Sequence, residues 1–107
     1  MNATYVQKGE YIDHVPASDL HAGDVVVQGK LVGVTKLDIR AGELGAIATT
    51  GVFDVVKDAS TIQAGDLVYW DGEKATASNA RVENVLIGKA ISPAETGDAS
   101  VRVLLNG

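Results

Sequence analysis

Four times in this chain a small residue, a glycine and an acid stand before an apolar run. Ala22-Gly23-Asp24 precedes VVV, Ala41-Gly42-Glu43 precedes LGAIA, Ala64-Gly65-Asp66 precedes LVYW, and Thr96-Gly97-Asp98 precedes ASVRVLL. Glycine after a small residue suits a tight turn or bulge with positive φ. The acid that follows can accept hydrogen bonds from nearby backbone N–H groups while it stays solvated. Each unit therefore reads as a turn followed by a strand. The glycines lie 19, 23 and 32 residues apart, too uneven a spacing for a solenoid. A calcium loop gathers several oxygen ligands within a few residues, whereas each of these turns carries one acid.

Between the turns, Val, Thr, Ile and Tyr occur in short runs that favour strands. The expected strands are residues 4–7, 11–15, 24–28, 31–35, 44–49, 52–57, 67–70, 74–76, 86–91 and 100–105. VVVQGKLVGV reads as a hairpin with Gln28-Gly29-Lys30 at its tip. AIATTGVFDVV reads as a second, with Gly51 at positive φ, and YWDGEKAT as a third that turns at Asp71-Gly72. In SVRVLL, Val101 and Val103 face one way while Arg102 and Leu104 face the other. Helical signals are weak. Residues 58–63 suit one turn capped by Asp58, and SNARVENVLIG suits two turns capped by Ser78, but neither carries an apolar stripe. Residues 77–84 read as a surface loop, and Pro16 and Pro93 as strand ends. No linker divides the chain. The expectation is one all-β domain over residues 1–107, a small antiparallel β-barrel or sandwich with short hairpins and little or no helix. Residues 1–10 would form an N-terminal arm or an edge strand.

Only 5% of the 107 residues are aromatic, so the core must be built from Val, Leu, Ile and Ala. The net charge is −5 and the nine basic residues are scattered with no two adjacent, which argues against a nucleic-acid partner. Without cysteine there is no disulfide, thiol chemistry or Cys-ligated zinc. The N-terminal stretch lacks the basic and apolar regions of a secretory signal, and no apolar run is long enough to span a membrane. These features lead to the expectation of a soluble protein made in a cytoplasm.

Motifs for chemistry are sparse. GDVVVQGKL resembles a phosphate-binding loop, but five residues separate its glycines and Leu31 stands where a hydroxyl would hold magnesium. His14 and His21, with Asp13, Asp19 and Asp24, supply metal-ligand chemistry without metal-site spacing. No serine lies in a nucleophile-elbow motif. No catalytic, cofactor-binding or metal-binding residue is therefore assigned. Tyr69-Trp70 is the most conspicuous apolar pair. One ring should enter the core and the other should lie on the opposite face, so Trp70, with Tyr5 and Tyr11, is a candidate protein contact.

The order of segments carries a resemblance. VQKGEYIDHV, AGDVVVQGKLVGVTKLDIRAGELGAIATTGVFDVVKD, AGDLVYWDG, LIGKAI and GDASVRVLL resemble the consensus of phage and prophage capsid cement, or head decoration, proteins. The resemblance covers about residues 5–105, with 77–84 the stretch that matches least. It implies a structural virion protein on the exterior of a bacteriophage capsid, made in the bacterial host cytoplasm. It also implies the major capsid protein as partner, a homotrimer, capsid stabilisation, and no enzyme activity, cofactor, nucleic acid or membrane. Two other classes stay open: a small hydrolase or metal-dependent enzyme using His14 or His21 with nearby Asp, and a virion β adaptor or carbohydrate-binding module.

Overall fold

A computed structural model of the chain describes residues 3–5 and 9–106. Among them lie nine strands and no helix: β1 (Tyr11–His14), β2 (Val25–Gln28), β3 (Leu31–Thr35), β4 (Gly45–Ala48), β5 (Val52–Val56), β6 (Leu67–Asp71), β7 (Thr76–Ser78), β8 (Val85–Ala90) and β9 (Ser100–Leu105). They form two antiparallel sheets, ordered β1-β4-β3-β2 and β5-β9-β8-β6-β7. The second sheet curls until β7 meets the residue after β5 at a single parallel bridge, Lys57 to Ala77, short of a closed barrel. The all-β expectation holds. Thr4 and Tyr5 lie outside any strand, and the rest of the 4–7 expectation falls outside the described residues.

The turn units do what their residues allow. In each, the acid's N–H donates to the carbonyl three residues earlier: Asp24 to His21 (3.0 Å), Glu43 to Arg40 (3.1 Å), Asp66 to Gln63 (3.0 Å) and Asp98 to Glu95 (3.0 Å). In the three aspartate units a carboxylate oxygen also accepts from that earlier residue's N–H, at 2.8, 2.9 and 2.8 Å. The side chain thus closes the turn that the backbone opens. Gly23, Gly42 and Gly65 have φ of 92°, 80° and 89°, which the third position of a type II turn requires.

The units also pair. Leu20 and Ile39, each three residues before a unit's glycine, exchange backbone hydrogen bonds of 2.7 and 2.9 Å, and Ile62 and Ala94 do the same at 2.9 and 2.8 Å. Gly23 N–H donates to Thr35 O and Gly65 N–H to Ala90 O, both at 2.7 Å. In the first pair Asp19 accepts from Ala41 N–H and Asp38 from Ala22 N–H, both at 2.8 Å. The strand orders repeat as well: β1-β4-β3-β2 corresponds to β5-β9-β8-β6, and His14 opposite Gly45 corresponds to Val56 opposite Ser100. The chain therefore repeats one four-stranded arrangement in tandem. Its glycines stand 19 residues apart in the first copy and 32 in the second, and the surplus lies between β6 and β8, where it carries β7.

Several local expectations need correction. AIATTGVFDVV is not a hairpin: Gly51 has φ 119°, but the chain there leaves the first sheet at β4 and enters the second at β5. The third hairpin turns through four residues, 72–75, because Asp71 accepts from Glu73 and Lys74 N–H (3.1 and 3.2 Å) and Ala75 takes φ 52°. Its returning strand is Thr76–Ser78, so the 74–76 expectation is displaced and the 77–84 loop begins inside a strand. Residues 58–63 form no helical turn. Asp58 instead accepts from Ser60 N–H at 2.9 Å, and Ile62 N–H, which a helical turn would direct back to Asp58 O, donates to Ala94 O at 2.9 Å. SNARVENVLIG is likewise not helical, since Val85 onward pairs in β8.

Packing follows the strand alternation. Val55, Ile62, Val68, Ile87, Val101 and Val103 form the main core with Val32, which reaches in from the first sheet. Asn106, at φ 52°, joins the sheets: its side-chain amide donates to Val32 O (3.0 Å) and Thr49 O (2.6 Å). Buried Lys57 donates to Asp58 O at 2.7 Å and Glu95 O at 2.9 Å, tying the fourth turn unit to the end of β5. At Gly88 the β8 backbone passes so close to β9 that an added Cβ would lie 2.0 Å from Leu104 O. Burial opposes ionisation of Asp58, but hydrogen bonds from Ser60 and Ser78 and the nearby Lys57 charge outweigh it and hold its pKa below 3.8.

Three outcomes follow in equilibrium unfolding. Gly88→Ala should cost at least about 1–3 kcal/mol, because the opposing atom is backbone and cannot swing away. Gly72→Ala, with open space around its Cβ position, should be near neutral. Asp24→Ala, Asp66→Ala and Asp98→Ala should each cost about 1 kcal/mol, the usual worth of a side-chain cap. Glu43→Ala should cost less, since Glu43 makes no such bond among the described residues; equal losses at all four would contradict the turn-closure account. Because the folded pKa of Asp58 is lowered, its contribution is present above 3.8 and lost as pH falls through the folded value. Thermal unfolding below pH 4 should therefore fall more steeply in wild type than in Asp58→Asn.

Candidate contact surface

The outer face of the second sheet follows the alternation of β5 and β9. Val55, Val101, Val103 and Leu105 turn inward and are buried. Val52, Asp54, Val56, Arg102 and Leu104 turn outward. Register then sets a row across four strands: Val52 opposite Leu104, Leu104 opposite Lys89, Lys89 opposite Leu67. Val52, Leu67 and Leu104 are 51%, 45% and 39% exposed, and Leu86 and Ile91 are exposed as well. Beside this row Arg102 grips Asp54 with Nε–Oδ1 at 2.9 Å and Nη2–Oδ2 at 3.3 Å. The hydrogen bond from Arg102, and then its charge, hold the Asp54 carboxyl below its ordinary pKa. The result is a row of exposed apolar side chains interrupted by Lys89, with an ion pair beside it, a surface suited to protein contact.

The aromatic candidates do not converge. Tyr5 is 80% exposed in a segment outside both sheets. Tyr11 is exposed on β1, where its hydroxyl accepts from the Lys36 ammonium at 2.7 Å. That nitrogen is 5.2 Å from the ring centroid and sits at the hydroxyl end, so the contact is a hydrogen bond more than a cation–π interaction. Trp70, on the second sheet, is half-buried against the core. It lines an apolar cavity with Phe53, Val25 and Val34. Its neighbour Tyr69 lines a different cavity.

The histidine constellation is not assembled either. His14 lies at the end of β1 opposite Gly45. His21 opens the first turn unit, and its backbone N–H is held by Asp24. Asp19 and Asp24 spend their carboxylates on backbone N–H groups, while Asp13 is exposed on β1. Among the described residues no three His, Cys, Asp or Glu side chains gather where they could hold a metal ion. The GDVVVQGKL segment is the β2–β3 hairpin, with its backbone committed to a strand ladder.

A cavity of about 670 Å³ lies between that hairpin's tip and the 72–84 insertion, lined by Lys30, Tyr69, Arg81, Asn84, Leu86 and Asn106 among others. Sequence reasoning treated Lys30 as a turn residue and Arg81 as part of a loop. Nothing in their spacing, 51 positions apart, signals that the fold brings them to one cavity. Among the described residues no helix is long and apolar enough to cross a membrane.

A protein-family model described as phage cement protein matches residues 6–105. No curated protein and no solved structure gives a match. The family match spans both copies of the repeated motif and the insertion between β6 and β8, so the fold and the family assignment cover the same residues. This chain belongs to the phage cement protein family, structural proteins associated with the phage capsid.

Proposed function

We propose that this protein binds the outer surface of the phage head through the major capsid protein and stabilises the shell, acting as a homotrimer. The observation that carries the proposal is the cement-family match over residues 6–105. The shape supports it. The body is flat, 42 × 36 × 23 Å, and its turns are closed by their own side chains, as a plate laid on a surface requires. Its outward strip of Val52, Leu104 and Leu67 offers apolar area for burial. Capsids present local threefold positions, and a trimer that touches several shell subunits gains avidity from effective concentration even when each contact is weak. Closed symmetry would also protect the free edges of β1 and β2 in the first sheet. The protein would be made in the host cytoplasm and added to the exterior of the head.

The enzyme alternative draws no support from His14 and His21, because Asp19 and Asp24 are bonded to turn backbone and, among the described residues, no three His, Cys, Asp or Glu side chains gather. A carbohydrate-binding module would present a shared aromatic platform, whereas Tyr5, Tyr11 and Trp70 belong to separate parts of the fold.

Purified protein mixed with expanded, undecorated heads should co-sediment with them and raise their melting temperature, since a ligand that binds the native shell stabilises it. No co-sedimentation and no shift would contradict capsid binding. Solution mass should correspond to three chains, and a strict monomer at high concentration would contradict the trimer.

A further inference from the structure

We propose that the cavity between the β2–β3 tip and the 72–84 insertion is the seat for an acidic segment of the shell protein. A carboxylate of that segment would be held by Lys30 and Arg81, with an apolar neighbour lying on Tyr69 and Leu86. The proposal rests on the capsid-binding function proposed above and names the surface and the partner chemistry.

Three observations converge on this cavity. The first is charge. The chain as a whole carries −5, yet among the described residues the charged side chains that line the cavity are two cations, Lys30 and Arg81, and both are exposed. Glu83 stands on the same loop but does not line it. A cationic pocket on an acidic body selects an anionic partner and repels other acidic surfaces. The amides of Asn84 and Asn106 are already donating to Ala80 O and to Val32 O and Thr49 O, which leaves the two cations as the charged donors for an incoming carboxylate.

The second is the tandem repeat. The β2–β3 tip and the β6-to-β8 connection occupy equivalent places in the two copies of the motif, and the connection in the second copy is longer. That connection supplies Arg81 and Asn84, while the shorter tip supplies Lys30. The cavity therefore lies where the two copies differ most.

The third concerns the source of the acid. The cement-family match makes the phage shell the body that this protein associates with, and the solution-mass arm of the test separates that donor from a second copy of this chain.

The test uses the full chain and undecorated heads, with co-sedimentation measured at low and at raised salt. Lys30→Glu combined with Arg81→Glu should weaken head binding by about tenfold or more and remove most of its salt dependence, with mass and thermal unfolding unchanged. Lys74→Glu, a charge reversal in the same insertion but outside the cavity, should bind as wild type does. The milder pair Lys30→Gln and Arg81→Gln should fall between, and it carries the test if the double reversal fails to fold. Undiminished binding by both cavity variants would overturn this proposal while leaving capsid binding intact. A changed solution mass in the variants would mark the cavity as a contact between copies, which overturns the shell assignment. Failure of wild type to bind heads would overturn both.

Discussion

The structure depends on a hydrogen bond between an aspartate carboxylate and the backbone N–H three residues before it. On its own such a bond is worth little, because water competes for both groups. Its effect comes from where it occurs. It closes the turn at the foot of β2, β6 and β9, so that three strands leave their turns in a defined direction. The turns then pair through Leu20 with Ile39 and Ile62 with Ala94, and each pair clasps one sheet. A chain with few aromatic residues and no disulfide gains its rigidity from local closure repeated and paired, and its modest aliphatic core need not do all the work.

Tandem repetition explains both the regularity and the one departure from it. Two copies of a four-stranded motif meet where Val32 enters the second sheet's core and where Asn106 reaches back to the first. Two sheets joined in this way make a flat body with broad faces, and the second sheet's outward face exposes Val52, Leu104 and Leu67 beside Lys89 and the Asp54–Arg102 pair. In a free monomer such a face is a liability. In a capsid-bound protein it is area available for burial. The longer connection after β6 changes one end of this body and leaves the paired turns untouched.

Much of this was legible in the residues. The turn units, the β2–β3 hairpin at Gln28-Gly29-Lys30 and the alternation of Val101 and Val103 against Arg102 and Leu104 all follow from local rules, and each appears in the fold. The failures share a cause. Gly51 has the positive φ that its sequence suggests, but whether the next strand returns to the same sheet is decided by tertiary packing. The uneven glycine spacing concealed a tandem repeat, because the 13 extra residues of the second copy sit between its two units. Asp58 reads as a helix cap, but Ile62 N–H pairs with Ala94 O across the fold, and Asp58 accepts from Ser60 N–H in a local turn instead. At the candidate site, Trp70 was conspicuous by size and turned out to pack against the core. Lys30 and Arg81 were inconspicuous, since long-range juxtaposition leaves no local signal.

On the function proposed here, a clasped sheet scaffold repeated in tandem meets the phage shell through its surface. Imaging decorated heads at a resolution that traces the chain should show copies seated on the outer surface around threefold positions, with the 72–84 insertion and the β2–β3 tip directed toward the shell. Bare heads, or copies whose insertion points into solvent while the opposite end makes the contact, would contradict this account.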